Sequence, residues 1–173
     1  YQAYADAGLN PSKIPIASLT TGEVEVSEMG LRIAAGHITA APYFQSVDSK
    51  INRACLARYK ALFGSQVDPN MCWEAAYFQV HMFARAMQQA GSDEIDRLLP
   101  YLLGSEFEAP QGRVCIDPAN HHTRLYPRIG RVTTDGSFDI VAESLDGVDP
   151  EPYRVTHTTE ERRVRSKEVK ALQ

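Results

Sequence analysis

Thr20 and Thr21 end a short apolar run and precede Gly22 and the polar turn Glu23-Val24-Glu25-Val26. Adjacent hydroxyls where a strand gives way to a helix can offer both a donor and an acceptor to a small polar molecule. A neutral amide, with its NH2 and C=O, is a natural complement. A plainer reading has the same hydroxyls only capping the helix that follows. Glu23, Glu25 and Glu28 form an acidic cluster beside this turn. General acid–base chemistry would need two of them to converge on a substrate with shifted pKa values. Glu25 and Glu28 share a helical face at i, i+3, and a solvated face explains that spacing better, because like charges this close repel. Glu23 is kept as a ligand contact, and no catalytic residue is read from the cluster.

Other chemistry is thin. The chain has no G-x-S-x-G elbow, no H-E-x-x-H and no glycine-rich phosphate loop with a following lysine. His121 and His122 are adjacent, so their side chains diverge in a strand or helix and do not suit one metal. His37 and His81 fall in predicted regular structure, where a partnered histidine is the better reading. Cys55, Cys72 and Cys115 make no metal-type spacing. Cys55 and Cys72 sit in apolar helical patterns and read as small core residues. Neither a metal nor a cofactor is expected.

The elements that must position the threonines follow from hydrophobic period and punctuation. Residues 1–7 read as the end of a helix closed by Gly8, and residues 14–20 as a buried parallel strand. A helix opens at Glu23, and residues 37–44 form a second strand. Asp48 or Ser49 caps a helix whose stripe is Ile51, Cys55, Tyr59, Leu62 and Phe63, ending at Gly64. Asp68-Pro69 opens the next, with Cys72, Ala76, Val80, Phe83 and Met87 on one face and Gly91 at its end. A third helix starts at Ser92, is interrupted by Pro100 and stops at Gly104. Residues 107–117 read as a turn followed by the strand 113–116. Asp135-Gly136 marks the tip of a hairpin between 129–134 and 137–142. Residues 145–153 read as a connector, and Thr158-x-x-Glu161 in the tail carries a capping-box pattern.

At 173 residues, 43% hydrophobic and 23% charged, the composition is that of an ordinary globular protein of one or two domains. A net charge of −4 gives no broad basic footprint for direct nucleic-acid contact. No stretch is long and apolar enough to insert in a membrane. The chain opens at Tyr1 inside a helical pattern, without Met, so targeting is not read from it.

Three segments taken in order carry a resemblance. SLTTGEVEV at 18–26 is similar to the ligand-facing turn of the amide-sensing negative regulators of aliphatic amidase operons. APYFQSVDSKINRACLARYKALFG at 41–64 resembles the interlobe crossing and helix shared by branched-chain amino acid, urea and amide receptors. EAAYFQV at 74–80, AGSDEID at 90–96 and the long segment 107–141 continue in the same order, and PEPYRVTH at 150–157 resembles the amide sensors' ending.

The resemblance implies an α/β, type I periplasmic-binding-protein-like fold with two lobes and an interlobe cleft, of which only the C-terminal part is present. Residues 1–45 would end the second lobe, 46–122 would return into first-lobe helices and strand, 123–146 would cross back, and 147–173 would form a connector and tail. It implies ligand contacts at Thr20, Thr21, Glu23 and Tyr43, although Tyr43 could equally be hinge packing. Amino acid receptors of this family place an acidic residue where Ala35 stands here. The implied function is a cytoplasmic sensor of short-chain amides that holds an antiterminator, RNA-binding partner. The alternative is a periplasmic substrate-binding subunit that meets an ABC permease and takes urea, amides or amino acids. A homo-oligomer is left open.

Overall fold

The structure is a computed structural model that describes residues 1–151. In chain order it runs α1 (Gln2–Asp6), β1 (Ala17–Ser18), α2 (Glu23–Met29), α3 (Leu31–Ala34) and β2 (Ile38–Ala41). Then come α4 (Lys50–Phe63), α5 (Met71–Ala90), α6 (Ile95–Leu102), β3 (Glu106–Ala109), β4 (Gly112–Ile116), β5 (Thr123–Arg124), β6 (Arg128–Val132) and β7 (Phe138–Glu143). The α/β class is as expected.

Two sheets divide these elements. One has the order β1-β2-β6-β7, with β1 and β2 parallel and the other pairs antiparallel; the other is β3-β4-β5, all antiparallel. Each sheet has its own apolar cluster. Val26, Ala34, Ala41, Phe44, Val132 and Phe138 pack under the first, and Phe78, Met82, Ala109 and Val114 under the second. Two cores in one short chain make two packing units. The chain passes between them at residues 42–49 and again at 125–128.

Local signals explain most boundaries. Ser49 caps α4 through its hydroxyl, which accepts from the Asn52 amide. Asn70, not Asp68, caps α5, its side-chain oxygen accepting from Cys72 and Trp73 amides. Pro69 therefore lies outside the helix. The α6 helix runs through Pro100 and begins at Ile95, because Ser92 spends its hydroxyl on the Glu94 amide before the helix starts. The first strand is shorter than residues 14–20 suggested and is an edge: Ile14 and Leu19 are 65% and 74% exposed. Glu106–Ala109 pairs as a strand with β4, so the turn expected from residue 107 is confined to residues between β3 and β4.

The hairpin forms around Asp135-Gly136, but with a wider loop than a two-residue turn. The Thr133 amide donates to the Ser137 carbonyl, Gly136 takes the positive φ, and Asp135 keeps a negative one. The Asp135 carboxylate accepts from the Ser137 amide and hydroxyl and from Thr133, and these bonds hold its pKa down at about 2.

Burial along the helices departs from the apolar stripes. In α5 the buried face is Glu74, Phe78, Met82 and Ala86, while Val80 and Phe83 face outward. Cys72 is exposed and Cys55 half-buried, so Cys72 is not a core residue. In α4 the one buried residue is Asn52, and Leu62 and Phe63 stand exposed. Both helices carry apolar residues on two faces, and the described residues cover only one. The ending 150–157 and the 158–161 capping box extend beyond the described residues.

Candidate functional site at the chain crossing

The turn after β1 is stapled by hydroxyls. The Ser18 hydroxyl accepts from the Thr20 and Thr21 amides at 3.1 Å each, and Thr21 Oγ1 donates to it at 2.8 Å. Tyr1 Oη lies 3.1 Å from the same Thr21 oxygen. Thr21 is thus buried and its hydroxyl engaged. Thr20 is exposed, and its hydroxyl has no partner among the described residues. Glu25 closes the start of α2, its carboxylate accepting from the Gly22 amide at 2.7 Å.

Glu23 turns the other way and is only 7% exposed. Its Oε1 accepts from the Gln45 amide at 2.7 Å, while Oε2 is buried without a partner among the described residues. Loss of hydration pushes its pKa up to about 7, against the lowering effect of the Gln45 bond, with Asp68 and Glu25 adding to the rise. Tyr43 is fully buried, and its phenol donates to Asn52 Oδ1 at 3.0 Å. Burial first, then the Glu23 and Glu74 charges, raise the phenol's pKa. Glu23 and Tyr43 are therefore brought together, with Thr21 two residues away and Thr20 outside.

This cluster spans the two packing units. Asn52 Nδ2 donates to the Gln45 and Val47 carbonyls at 2.9 and 2.7 Å, fastening the first crossing to α4. Gln45 Nε2 reaches the Pro69 carbonyl at 3.2 Å, and a methyl added to Gly22 would meet Asn70 Cβ at 3.6 Å, ordinary van der Waals spacing. The Trp73 ring stands 6.1 Å from that of Tyr43. At the second crossing, Arg128 donates to the Pro42, Tyr126 and Gln111 carbonyls and to Glu143. Gln111 Nε2 donates to the buried Glu74 at 2.7 Å.

Asn52, Glu74, Gln111 and Arg128 were not singled out from sequence. Glu74 had one signal: it stands at i−4 from Phe78, in line with Met82 and Ala86. His37 and His81 are partnered as expected. His37 Nδ1 accepts from the Ile16 amide at 2.9 Å, and His81 stacks on Phe107 at 5.5 Å. Burial lowers the His37 pKa. Among the described residues no group of three His, Cys, Asp or Glu side chains could hold a metal, and no helix is long and apolar enough to cross a membrane.

Residues 1–159 match the periplasmic binding protein domain. The chain belongs to that family. A solute-binding protein of an ABC transporter from Rhodopseudomonas palustris BisB5, solved with 3,4-dihydroxy benzoic acid, is 26% identical with a TM-score of 0.74. The match covers 86% of this chain and 42% of that one. A Leu/Ile/Val-binding protein homolog 6 of Brucella abortus is 26% identical over 142 residues, 79% of this chain and 36% of that protein. A limonene hydroxylase of Geobacillus stearothermophilus is 32% identical over 124 residues, 72% of this chain and 23% of that protein. The chain thus spans less than half the length of each of these relatives. Family members bind ligands, and the mixed α/β architecture with two sheets and two crossings is the type I periplasmic-binding-protein fold over part of its extent.

Proposed function

We propose that this chain is part of an extracytoplasmic solute-binding protein that delivers a small neutral ligand to an ABC permease. The carrying observation is the polar cluster where α2 meets the first crossing and the loop before α5. In this reading residues 1–45 and 123–146 belong to one lobe and 46–122 to the other, with 147–173 as connector and tail. Thr20, Thr21 and Glu23 then form one side of the cleft, with the buried Tyr43 packed in the hinge behind them, and binding works by favouring one lobe arrangement over another.

The chemistry of the cluster favours a hydrogen-bonding neutral ligand such as acetamide or urea. Glu25 and Asp68 place negative charge on this side, which repels a carboxylate ligand such as the dihydroxybenzoic acid of the relative. Ala35 offers no carboxylate to an amino acid's ammonium group, and a buried ammonium without a partner is heavily penalised. The cytoplasmic amide sensor with an antiterminator partner shares this ligand but rests on the 18–26 and 150–157 resemblance alone, so the transporter reading stands first.

Calorimetry of the full chain with acetamide, urea, leucine and 3,4-dihydroxybenzoic acid tests the ligand class. Heat with acetamide or urea alone is the expected result. Tight binding of leucine with no amide signal would overturn it.

A further inference from the structure

We propose that Glu23 is a proton-linked latch of this hinge: its neutral carboxyl holds α2 against the first crossing and the loop before α5, and its ionisation drives α2 away from them. The inference deepens the solute-binding reading and rests on it for the part that concerns ligand.

The geometry isolates one carboxyl at a joint. Glu23 stands in the first turn of α2, on the unit built around β1, β2, β6 and β7. Its Oε1 is held by the amide of Gln45 in the crossing, and the Gln45 side chain in turn reaches the Pro69 carbonyl of the other unit. Its Oε2 is shut away from water with no partner among the described residues. A neutral carboxyl tolerates such a place at the cost of one unmade hydrogen bond, whereas a carboxylate loses most of its hydration.

Two backbone amides, those of Gln45 and of Glu23 itself, favour the charged form but do not offset its burial, and the side chains nearby add to the cost. From its own helix comes Glu25, engaged on the Gly22 amide, and from the loop before α5 comes Asp68. From the crossing comes the Tyr43 phenol, which feels Glu23 as a raising charge. Asp68 is itself paired with Lys60 of α4, whose Nζ lies 3.4 Å away. Ionising Glu23 therefore adds a negative charge beside two others. Water is the available compensation, and it reaches the buried Oε2 only if α2 parts from the crossing and the loop before α5. The raised pKa agrees, setting the transition near neutrality. Closure of the joint then takes up a proton, and ligand held by the closed joint binds more tightly below pH 7 than above it.

Three measurements on the full chain separate the parts. Carboxyl-carbon NMR of the unmutated protein should show Glu23 titrating near pH 7; titration near 4.5 overturns the latch without any variant being needed. Small-angle scattering without ligand should show the radius of gyration rising between pH 5 and 7 and levelling off above, a change lost in Glu23→Gln and kept in Glu74→Gln. A radius that does not change, or one that changes equally in Glu23→Gln, also overturns it. Acetamide affinity should weaken by up to about tenfold per pH unit across the same interval, the limit for one linked proton below its pKa, and level off above pH 7. A pH-dependent radius with no acetamide binding would sink the ligand reading and leave the latch standing.

Discussion

Arg128 Nη1 donates to the carbonyl of Pro42 at 2.6 Å, joining the two chain crossings over 86 positions of sequence. The same guanidinium reaches the Gln111 carbonyl in the β3–β4 turn and the Glu143 carboxylate in β7, and it is only 6% exposed. A planar fork can serve several acceptors at once, which a lysine ammonium cannot match in direction. Arg128→Met should therefore destabilise the chain by about 3 kcal/mol or more, because three carbonyls and a carboxylate lose their buried donor. Arg128→Lys should recover less than half of that loss. Urea unfolding of the three proteins at one pH checks both statements, and a Lys variant as stable as wild type would refute the geometric argument.

Glu74 gives a pH dependence with a definite sign. Burial pushes its pKa up to about 7, against the lowering effect of the Gln111 bonds and Arg128. Between about pH 4.5 and 7 the folded chain holds a proton that the unfolded chain has released. Stability thus falls as pH rises through that window and levels off above it, by on the order of 3 kcal/mol for this group. Glu74→Gln keeps the hydrogen-bonding shape and removes the titration. The urea midpoint of wild type should fall relative to that of Glu74→Gln from pH 5 to pH 7 and then hold level to pH 8. A constant difference over that range would contradict the assignment.

What could be read in advance depended on how local each determinant was. Ser49 before α4, Gly91 after α5 and Asp135-Gly136 at the hairpin act through their own backbones, so their positions were legible. The buried face of α5 was not, because Val80 and Phe83 on one side compete with Phe78 and Met82 on the other, and only tertiary packing decides. The hinge network was hidden for the same reason. Asn52, Gln111 and Arg128 look like ordinary surface residues until the crossings bring carbonyls from distant segments around them. Glu23 and Tyr43 were reached through motif resemblance, and the sequence alone did not show that both face inward.

Gly130 tests the packing under the first sheet. Phe44 and Phe138 stack with ring centroids 4.5 Å apart, directly over the Gly130 backbone. A Cβ there would lie 2.8 Å from Phe44 Cζ and 2.9 Å from Phe138 Cδ1. Both rings belong to a closed cluster with Val132 and Ala41, so neither has room to withdraw. Gly130→Ala should cost about 1–3 kcal/mol, the usual penalty of overpacking. Thermal unfolding would show it as a lower Tm, and an unchanged Tm would mean the ring pair is looser than described.

Thr20 and Thr21 separate ligand contact from structural support. Thr21 Oγ1 already donates to Ser18 and meets the Tyr1 hydroxyl, so its removal leaves two half-buried partners short of a bond. Thr21→Val should therefore lower stability by about 1–2 kcal/mol and weaken acetamide binding at the same time. Thr20 is exposed on the same turn with its hydroxyl free among the described residues. Thr20→Val should leave stability within about 0.5 kcal/mol, the usual range for a surface change. Its effect should fall on acetamide affinity, by about 1 kcal/mol or roughly fivefold in Kd, if the hydroxyl bonds ligand. Urea unfolding and acetamide calorimetry on both variants distinguish the roles. A Thr20→Val protein that binds acetamide as tightly as wild type would remove Thr20 from the site. It would also leave this turn as a brace for α2, with Glu23 as its remaining polar group facing the hinge.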